Sequence, residues 1–237
     1  MNSPIIVALD FPQASSAGAF LDKIQQEPCR VKIGKEMFTR SGPDFVREVI
    51  DRGFEVFLDL KFHDIPNTVA AAVDAAADLG VWMVNVHASG GLAMMEQARG
   101  VLEQRQGRRP LLIGVTVLTS LDQADLEQVG ITAAPQQQVL RLARLAQQAG
   151  LDGVVCSAAE TAMLRSELGR DFCLVTPGIR RAEDARGDQK RVVGPEQALA
   201  DGSNYLVVGR PITQADDALA ALRAFNSAAA RVPQSLV

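Results

Sequence analysis

The chain has 237 residues, of which 47% are hydrophobic and 22% charged, an ordinary composition for a globular protein. Its net charge of −4 argues against a nucleic-acid-binding surface, which normally needs a basic stripe, although a small anionic ligand needs only local positive charge. No run approaches the ~20 apolar residues of a membrane span, and the N-terminal MNSPIIVALD lacks the positive segment of a signal peptide, so we expect a cytoplasmic protein.

Eight short apolar runs, rich in strand-forming residues, recur along the chain at residues 4–10, 29–34, 54–61, 82–88, 111–118, 152–158, 172–178 and 204–210. Most of the segments between them show helical spacing of apolar residues, as at 42–52, 66–79 and 136–149. Alternating strands and helices predict a parallel sheet, and eight such units predict a closed (β/α)8 TIM barrel. We expect one barrel domain over residues 1–230 and a tail at 231–237. No GxGxxG follows the first strand, which weakens the dinucleotide-binding alternative.

One connection is unusually long. It runs from residue 181 to residue 203, and its first half is charged and lacks helical periodicity. Long loops in compact domains are usually functional lids or disordered segments. We therefore hypothesise that residues 180–194 close over a bound ligand.

Polar residues occur near the ends of the predicted strands. Side chains in a barrel alternate between the interior and the helix layer. With that period Val115 and Val117 face the helices, and the inward-facing polar residues are Asp10, Lys32, Asp59, Lys61, Asn85, His87 and Thr116. They cluster toward the C-terminal ends of the strands, which is the face where active sites of TIM barrels lie.

Four of these residues carry charges of alternating sign: Asp10, Lys32, Asp59 and Lys61, with Asp64 just beyond. A single Lys or Asp near a strand end is often only a solvated rim residue. Four that converge are harder to dismiss, because two unit charges ~4 Å apart interact by about 4 kcal/mol at an effective dielectric near 20. Such an array can keep every member ionised. It suits a reaction in which a carboxylate leaves, a carbanion forms and a proton is delivered.

The segment DLKFHDIPNT, residues 59–68, resembles the DxKxxD-I-P-N-T signature of orotidine 5′-phosphate decarboxylases. VALD, VKIG, VTVLTS, TPGIR and VVGRPIT match further parts of that family in the same order across nearly the whole chain. DxKxxD alone is shared with a related barrel family, but the full series is highly specific.

The resemblance implies roles for the charged residues in a cofactor-independent decarboxylation of orotidine 5′-monophosphate (OMP) to UMP in pyrimidine biosynthesis. Lys61 protonates C6 of the pyrimidine as CO2 leaves, and Asp59 lies against the substrate carboxylate and holds Lys61 in place. Lys32 bridges Asp59 and the ribose, and Asp10 binds ribose hydroxyls. The resemblance also implies an obligate homodimer in which each chain sends three residues into its partner's site: Asp64, Ile65 and Thr68.

The remaining implied contacts involve the base and the phosphate. Thr119 or Ser120 contacts the pyrimidine edge, and the other binding residues are Pro177, Arg180, Gln189, Gly209 and Arg210. The chemistry of Gly209 and Arg210 supports a phosphate contact independently of the resemblance, because a glycine lets a phosphate approach the backbone and an arginine can pair with it bidentately. Arg181 stands beside Arg180, and only the family pattern selects Arg180 as the phosphate ligand.

Two other functions compete with this interpretation. A metal-dependent sugar-phosphate decarboxylase or epimerase of the same superfamily typically has an acidic residue where Lys32 stands, and Lys32 would repel a cation. A non-catalytic sensor of nucleotide phosphates would need the phosphate-binding residues but not Asp59 and Lys61 together. The two histidines, His63 and His87, lack zinc-site spacing, and we expect no metal. Three scattered cysteines are expected to be free thiols in a reducing compartment: Cys29, Cys156 and Cys173.

Overall fold

The computed structural model describes residues 3–181 and 193–232 of the chain. Gln189, most of the 180–194 segment and most of the predicted 231–237 tail lie outside the described residues. Eight parallel strands close into a barrel in sequential order, β1 (Ile5–Ala8), β2 (Arg30–Gly34), β3 (Val56–Phe62), β4 (Met83–His87), β5 (Leu111–Val115), β6 (Gly153–Val155), β7 (Cys173–Pro177) and β8 (Tyr205–Val208).

Helices follow the strands and surround the barrel. Those in the described part of the chain are α1 (Ala14–Ile24), α2 (Lys35–Asp51), α3 (Pro66–Asp78), α4 (Leu92–Glu103), α5 (Gln123–Gln128), α6 (Pro135–Gln148), α7 (Thr161–Leu168), α8 (Pro195–Ala200), α9 (Arg210–Thr213) and α10 (Ala218–Ala230). The predicted (β/α)8 barrel is thereby confirmed. None of the helices described is both long enough and apolar enough to cross a membrane.

Two apolar layers hold the barrel together. The larger lies between strands and helices and takes alternate strand residues such as Val7, Val31 and Leu58, whereas the smaller fills the barrel with Ile6, Phe57 and others. Because both faces of a parallel strand are buried, its sequence reads as a nearly continuous apolar run. The polar side chains that interrupt these runs therefore mark the end of the barrel where the apolar filling stops.

Strand β3 is irregular where it approaches that end. Leu58 pairs with Val84 and Phe62 pairs with Val86, so three residues of β3 lie opposite one residue of β4. Lys61, inside this irregularity, has a φ of 54°, and no other non-glycine residue in the described ranges has a positive φ. Such a backbone costs of order 1–3 kcal/mol and persists only where its surroundings hold it. The period-2 pattern gave the correct inward direction for Lys61 but could not reveal this conformation.

The orientation predicted for β5 was wrong. Ile113 belongs to the barrel filling and Val115 lines the cavity at the barrel mouth, so these residues face inward. Thr116 does not face the interior; its hydroxyl donates a hydrogen bond of 2.9 Å to the carbonyl of Val155 on β6. The threonine satisfies its polar group against the neighbouring strand, and polarity alone was therefore a poor guide to direction.

The helix predicted at 42–52 is longer than expected and kinked. It begins at Lys35, directly after β2, and is interrupted at Gly42, where φ is 66°. Pro43 follows and cannot donate a backbone hydrogen bond, so it suits the first turn of a new helical segment. The pair lets the chain bend around the barrel.

Ion pairs and hydrogen bonds link the strands at the N-terminal end of the barrel. Asp152, just before β6, accepts two hydrogen bonds from Arg109, at 2.8 and 2.9 Å, and one of 3.0 Å from Arg99. It also accepts the backbone N–H of Leu112 at 2.8 Å. Residues at this face of a TIM barrel typically contribute to stability rather than to catalysis. We therefore assign this cluster to holding β5 and β6 together.

Candidate active site

A cavity of about 330 Å³ opens at the C-terminal end of the barrel. This volume lies within the ~300–1,000 Å³ range of small-molecule sites. Its floor is apolar and is formed by strand residues that include Ala8, Phe57, Val155 and Val207. Charged side chains stand on one wall, and residues of the loops after β7 and β8 complete the lining. An apolar floor next to fixed charges is a setting in which electrostatic interactions are strong.

The four charged residues predicted from the sequence form a continuous chain along that wall. Lys32 Nζ lies 3.5 Å from Asp10 Oδ1 and 3.2 Å from Asp59 Oδ2. Lys61 Nζ donates a hydrogen bond of 2.6 Å to Asp59 Oδ1. The order is therefore Asp10, Lys32, Asp59, Lys61, with each cation beside a carboxylate.

Asp59 is the buried centre of this chain, with 8% of its surface exposed. Burial on its own would raise the pKa of its carboxyl. The charges of Lys32 and Lys61, with hydrogen bonds from Lys61 and Asn85, act in the opposite direction and hold the pKa below its ordinary value. Asp59 is consequently an anion at neutral pH, and both neighbouring lysines are compensated.

Two residues without a predicted role support the array. Asn85 on β4 was expected only to face inward, but its side chain hydrogen-bonds both Asp59 and the backbone of Lys61. Gly34 ends β2, and a Cβ at that position would lie 3.2 Å from Lys32 Nζ. An alanine there would crowd the ammonium. An amide within an otherwise apolar strand was the sequence feature that could have indicated a role for Asn85. No feature indicated one for Gly34, because glycine at a strand end also suits a turn.

The two neighbouring arginines point in different directions. Arg180 is buried and lines the cavity, whereas the guanidinium of Arg181 stacks over the ring of Phe225 on α10, 5.1 Å from its centroid. The choice that sequence physics left open is thus resolved by geometry, and Arg180 is the residue at the cavity.

Gly209 and Arg210 also line this cavity. A Cβ at Gly209 would make only ordinary contacts, 3.7 Å from Ala8 and 3.8 Å from Asp10. Packing therefore does not require glycine there, and the missing side chain leaves the backbone open to the cavity. Pro177 also lines it.

The base-contact candidates separate as well. Both residues are exposed, but Thr119 lines the cavity and Ser120 does not. Thr119 also borders a second cavity of about 240 Å³ that lies beside the first. In the described part of the chain, Thr119 is the better placed of the two to meet a ligand.

Three predicted residues do not reach the cavity of their own chain. Asp64 and Thr68 are exposed, and Ile65 has 66% of its surface exposed although it is apolar. Asp64 accepts the backbone N–H of Ile65 at 2.7 Å, and Pro66 starts α3 immediately afterwards. In the described structure all three side chains therefore remain outside that cavity.

The histidines pack against each other beside the array, with ring centroids 5.6 Å apart. Burial, followed by the charges of His63, Lys35 and Lys61, lowers the pKa of His87. His87 is therefore neutral at pH 7. Among residues 3–181 and 193–232, no cluster of three or more His, Cys, Asp or Glu side chains is placed to hold a metal ion.

Comparisons with known proteins agree with this geometry. The family model described as orotidine 5′-phosphate decarboxylase / HUMPS family matches residues 3–225. An orotidine 5′-phosphate decarboxylase of Vibrio cholerae is 63% identical over 96% of this chain and 99% of its own length. That of Chromobacterium violaceum is 62% identical over 95% of this chain and 91% of its own. The crystal structure of the Lactobacillus acidophilus enzyme of that name has a TM-score of 0.85 and 38% identity, and covers 96% of this chain and 99% of its own.

Proposed function

The chain belongs to the orotidine 5′-phosphate decarboxylase / HUMPS family, and on that premise we propose that it decarboxylates OMP to UMP without a cofactor. The observation that carries this proposal is the chain of Asp10, Lys32, Asp59 and Lys61 beside an apolar-floored cavity. It offers a fixed anion for a carboxylate to move away from and an ammonium to supply a proton.

The chemistry follows from these charges. The C6–carboxylate bond breaks, its electron pair remains on C6, and CO2 departs. The Lys61 ammonium stabilises that developing carbanion and donates its proton to C6, giving UMP and a neutral amine that regains a proton from water. Asp59 remains ionised throughout because its pKa is held low. It positions Lys61 and, as a carboxylate, repels that of the substrate but not neutral CO2.

Arg180, Arg210 and the open backbone at Gly209 bind the 5′-phosphate in this proposal, and Gln189 joins them. Arginine suits the role because its planar guanidinium can hold a phosphate with two parallel hydrogen bonds. Binding energy gained at this remote group can be used at the reacting ring. Asp10 and Lys32 bind the ribose hydroxyls between the two ends, and Pro177 and Thr119 line the base side.

We further propose a cytoplasmic homodimer in which Asp64, Ile65 and Thr68 complete the partner's site. These residues lie outside the cavity of their own chain, and Ile65 is an exposed apolar residue, as are Leu118 and Leu121 after the end of β5. A two-fold axis would make the exchange reciprocal. The cytoplasm is favoured because Cys29, Cys156 and Cys173 are free thiols.

The metal-dependent relatives in the superfamily are the alternative to exclude. Lys32 lies between the two carboxylates of the array and Lys61 lies beside Asp59, and both ammonium groups would repel a divalent cation. The experiment is to follow the loss of OMP absorbance by the purified protein with and without EDTA. We expect turnover that EDTA does not change. Activity on a sugar phosphate that EDTA abolishes, with none on OMP, would overturn the proposal.

A further inference from the structure

We propose that Asn85 is a positioning residue for proton delivery, holding Lys61 and Asp59 in the geometry that the reaction needs. The inference rests on the proposed function, because it takes Lys61 as the proton donor. Asn85 lies on β4, directly beside the irregular part of β3, and is fully buried. It does not line the cavity, so it acts through its neighbours rather than on the ligand.

The side-chain amide makes two different hydrogen bonds. Its Oδ1 accepts the backbone N–H of Lys61 at 2.8 Å, and its Nδ2 donates to Asp59 Oδ1 at 2.7 Å. That carboxylate oxygen also accepts the hydrogen bond from Lys61 Nζ. Asn85 therefore fixes both the root of the Lys61 side chain and the anion that holds its tip.

The backbone of Lys61 needs such support. With φ at 54°, it occupies a region that side-chain-bearing residues rarely adopt, and it lies where three residues of β3 face one of β4. A regular ladder cannot pair all of those groups. The amide oxygen of Asn85 provides the acceptor at this point, so it stabilises a conformation that the strand would otherwise abandon.

At neutral pH a side-chain amide satisfies both partners without adding a charge. A backbone N–H can only donate and an ionised carboxylate can only accept, which fixes the orientation of the amide. A carboxylate at position 85 would accept from Lys61 but would repel Asp59. An aliphatic side chain would leave the buried N–H of Lys61 without its acceptor and would remove one of the hydrogen bonds to the buried Asp59 carboxylate.

The expected consequence is a loss of kcat rather than of substrate affinity. The proposed ribose and phosphate contacts come from Asp10, Lys32, Arg180 and Arg210, none of which hydrogen-bonds Asn85 in the described structure. A displacement of the proton donor by about 1 Å is enough to lower a rate about a hundredfold. We expect that fall in kcat for Asn85→Ala and a KM for OMP within about threefold of the wild-type value.

Asn204 supplies a matched control. Its Oδ1 accepts the backbone N–H of Leu174 at 2.8 Å and Arg165 Nη2 at 2.7 Å, just before β8 at the opposite end of the barrel. Asn204→Ala therefore also removes two hydrogen bonds from one asparagine. It should lower the free energy of unfolding and leave kcat of the folded enzyme unchanged, which separates a general structural loss from a positioning effect.

The isosteric variant Asn85→Asp gives a readout that a purely structural role would not move. The introduced carboxyl would face Asp59 and Lys61 on β3, Lys32 on β2, His87 on its own strand and His63 beyond β3. Burial and the Asp59 carboxylate favour its protonated form, whose O–H can donate to Asp59 while its C=O accepts from Lys61. We expect kcat of this variant to rise as pH falls through that titration, whereas the wild-type kcat does not rise.

The measurements are kcat and KM for OMP from acidic to neutral pH, with thermal unfolding, for Asn85→Ala, Asn85→Asp, Asn204→Ala and Lys61→Ala. Equal kcat values for folded Asn85→Ala and Asn204→Ala would overturn the proposal, as would an Asn85→Asp variant without recovery at low pH. Failure of both Asn85 variants to fold would also overturn it, since the residue would then be structural. An unimpaired Lys61→Ala would instead reject the proposed function.

Discussion

Asp59 Oδ1 accepts hydrogen bonds from Lys61 Nζ and Asn85 Nδ2, and Asp59 Oδ2 lies 3.2 Å from Lys32 Nζ. These contacts compensate the buried negative charge of Asp59, and Asp59 in turn compensates the positive charges of the lysines. Removing it would leave Lys61 without its counter-ion and Lys32 with Asp10 alone, and breaking a buried ion pair typically costs about 3–5 kcal/mol. The array is thus a mutually dependent unit rather than a set of independent residues.

A prediction at this scale concerns the phosphate grip. Arg210→Ala should lower kcat/KM for OMP by roughly tenfold to a hundredfold, since a charge-assisted hydrogen bond contributes about 1.5–3 kcal/mol. It should have little effect on the slower reaction of orotidine, which lacks the phosphate. Steady-state kinetics with both substrates tests this. Arg181→Ala is the control, because Arg181 stacks on Phe225 instead of lining the cavity. Equal losses with both substrates would contradict the phosphate role.

Sequence reasoning predicted the residue types at the site better than their contacts. The alternation of Lys and Asp at strand ends placed Asp10, Lys32, Asp59 and Lys61 on one wall. It could not separate Arg180 from Arg181, because the choice depends on where the ring of Phe225 lies, more than 40 residues away. It also gave Asn85 no role, since the partner of a buried amide is set by the register between two strands.

At the scale of elements, β3 and β5 show where period-2 patterns succeed and fail. In β3 the charges of Asp59 and Lys61 identify the inward face despite the irregular pairing. In β5 both faces are buried and apolar, so alternation carries no signal and the direction of Thr116 was wrong. The number and order of strands were predictable because they depend on composition and spacing, whereas local register depends on tertiary contacts.

The ion-pair cluster at the N-terminal end of the barrel leads to a stability prediction. Burial alone would raise the pKa of Asp152. Hydrogen bonds from Arg109 and Leu112, with the charges of Arg109 and Arg99, instead hold that pKa below its ordinary value. The stabilisation is therefore fully present above the unfolded-state pKa of ~3.9 and is lost as pH falls through the lower folded-state value. Asp152→Asn should lower the free energy of unfolding by about 1.5–3 kcal/mol at pH 7.

Chemical denaturation of the wild type and Asp152→Asn at several pH values measures this difference. It should shrink as pH falls below ~4, where the carboxyl of the unfolded chain becomes protonated, and vanish once the folded-state carboxyl is protonated as well. The kcat of the folded variant should match that of the wild type, since the cluster lies at the end of the barrel away from the cavity. A difference in stability that stays constant down to acidic pH would contradict the electrostatic account.

At the scale of the whole molecule, the turn at residues 64–68 carries the proposal of a shared site. Mixing Lys61→Ala chains with Asp64→Ala chains should restore activity if Asp64 acts in the partner, because each hybrid dimer then has one site with both defects and one with neither. Random mixing makes about half the dimers hybrid, so about a quarter of wild-type activity per site should return. Co-expression and separation of tagged hybrids make the measurement. No recovery in verified hybrids would refute the shared site.

The central claim is that Lys61 delivers the proton to C6. The most direct measurement is OMP turnover by purified Lys61→Ala, with UMP binding and thermal unfolding recorded for the same sample and Lys23→Ala, an exposed lysine on α1, as the control. The account predicts no decarboxylation above background by a folded variant that still binds UMP, and normal turnover by the control. Near-normal turnover by folded Lys61→Ala would contradict it.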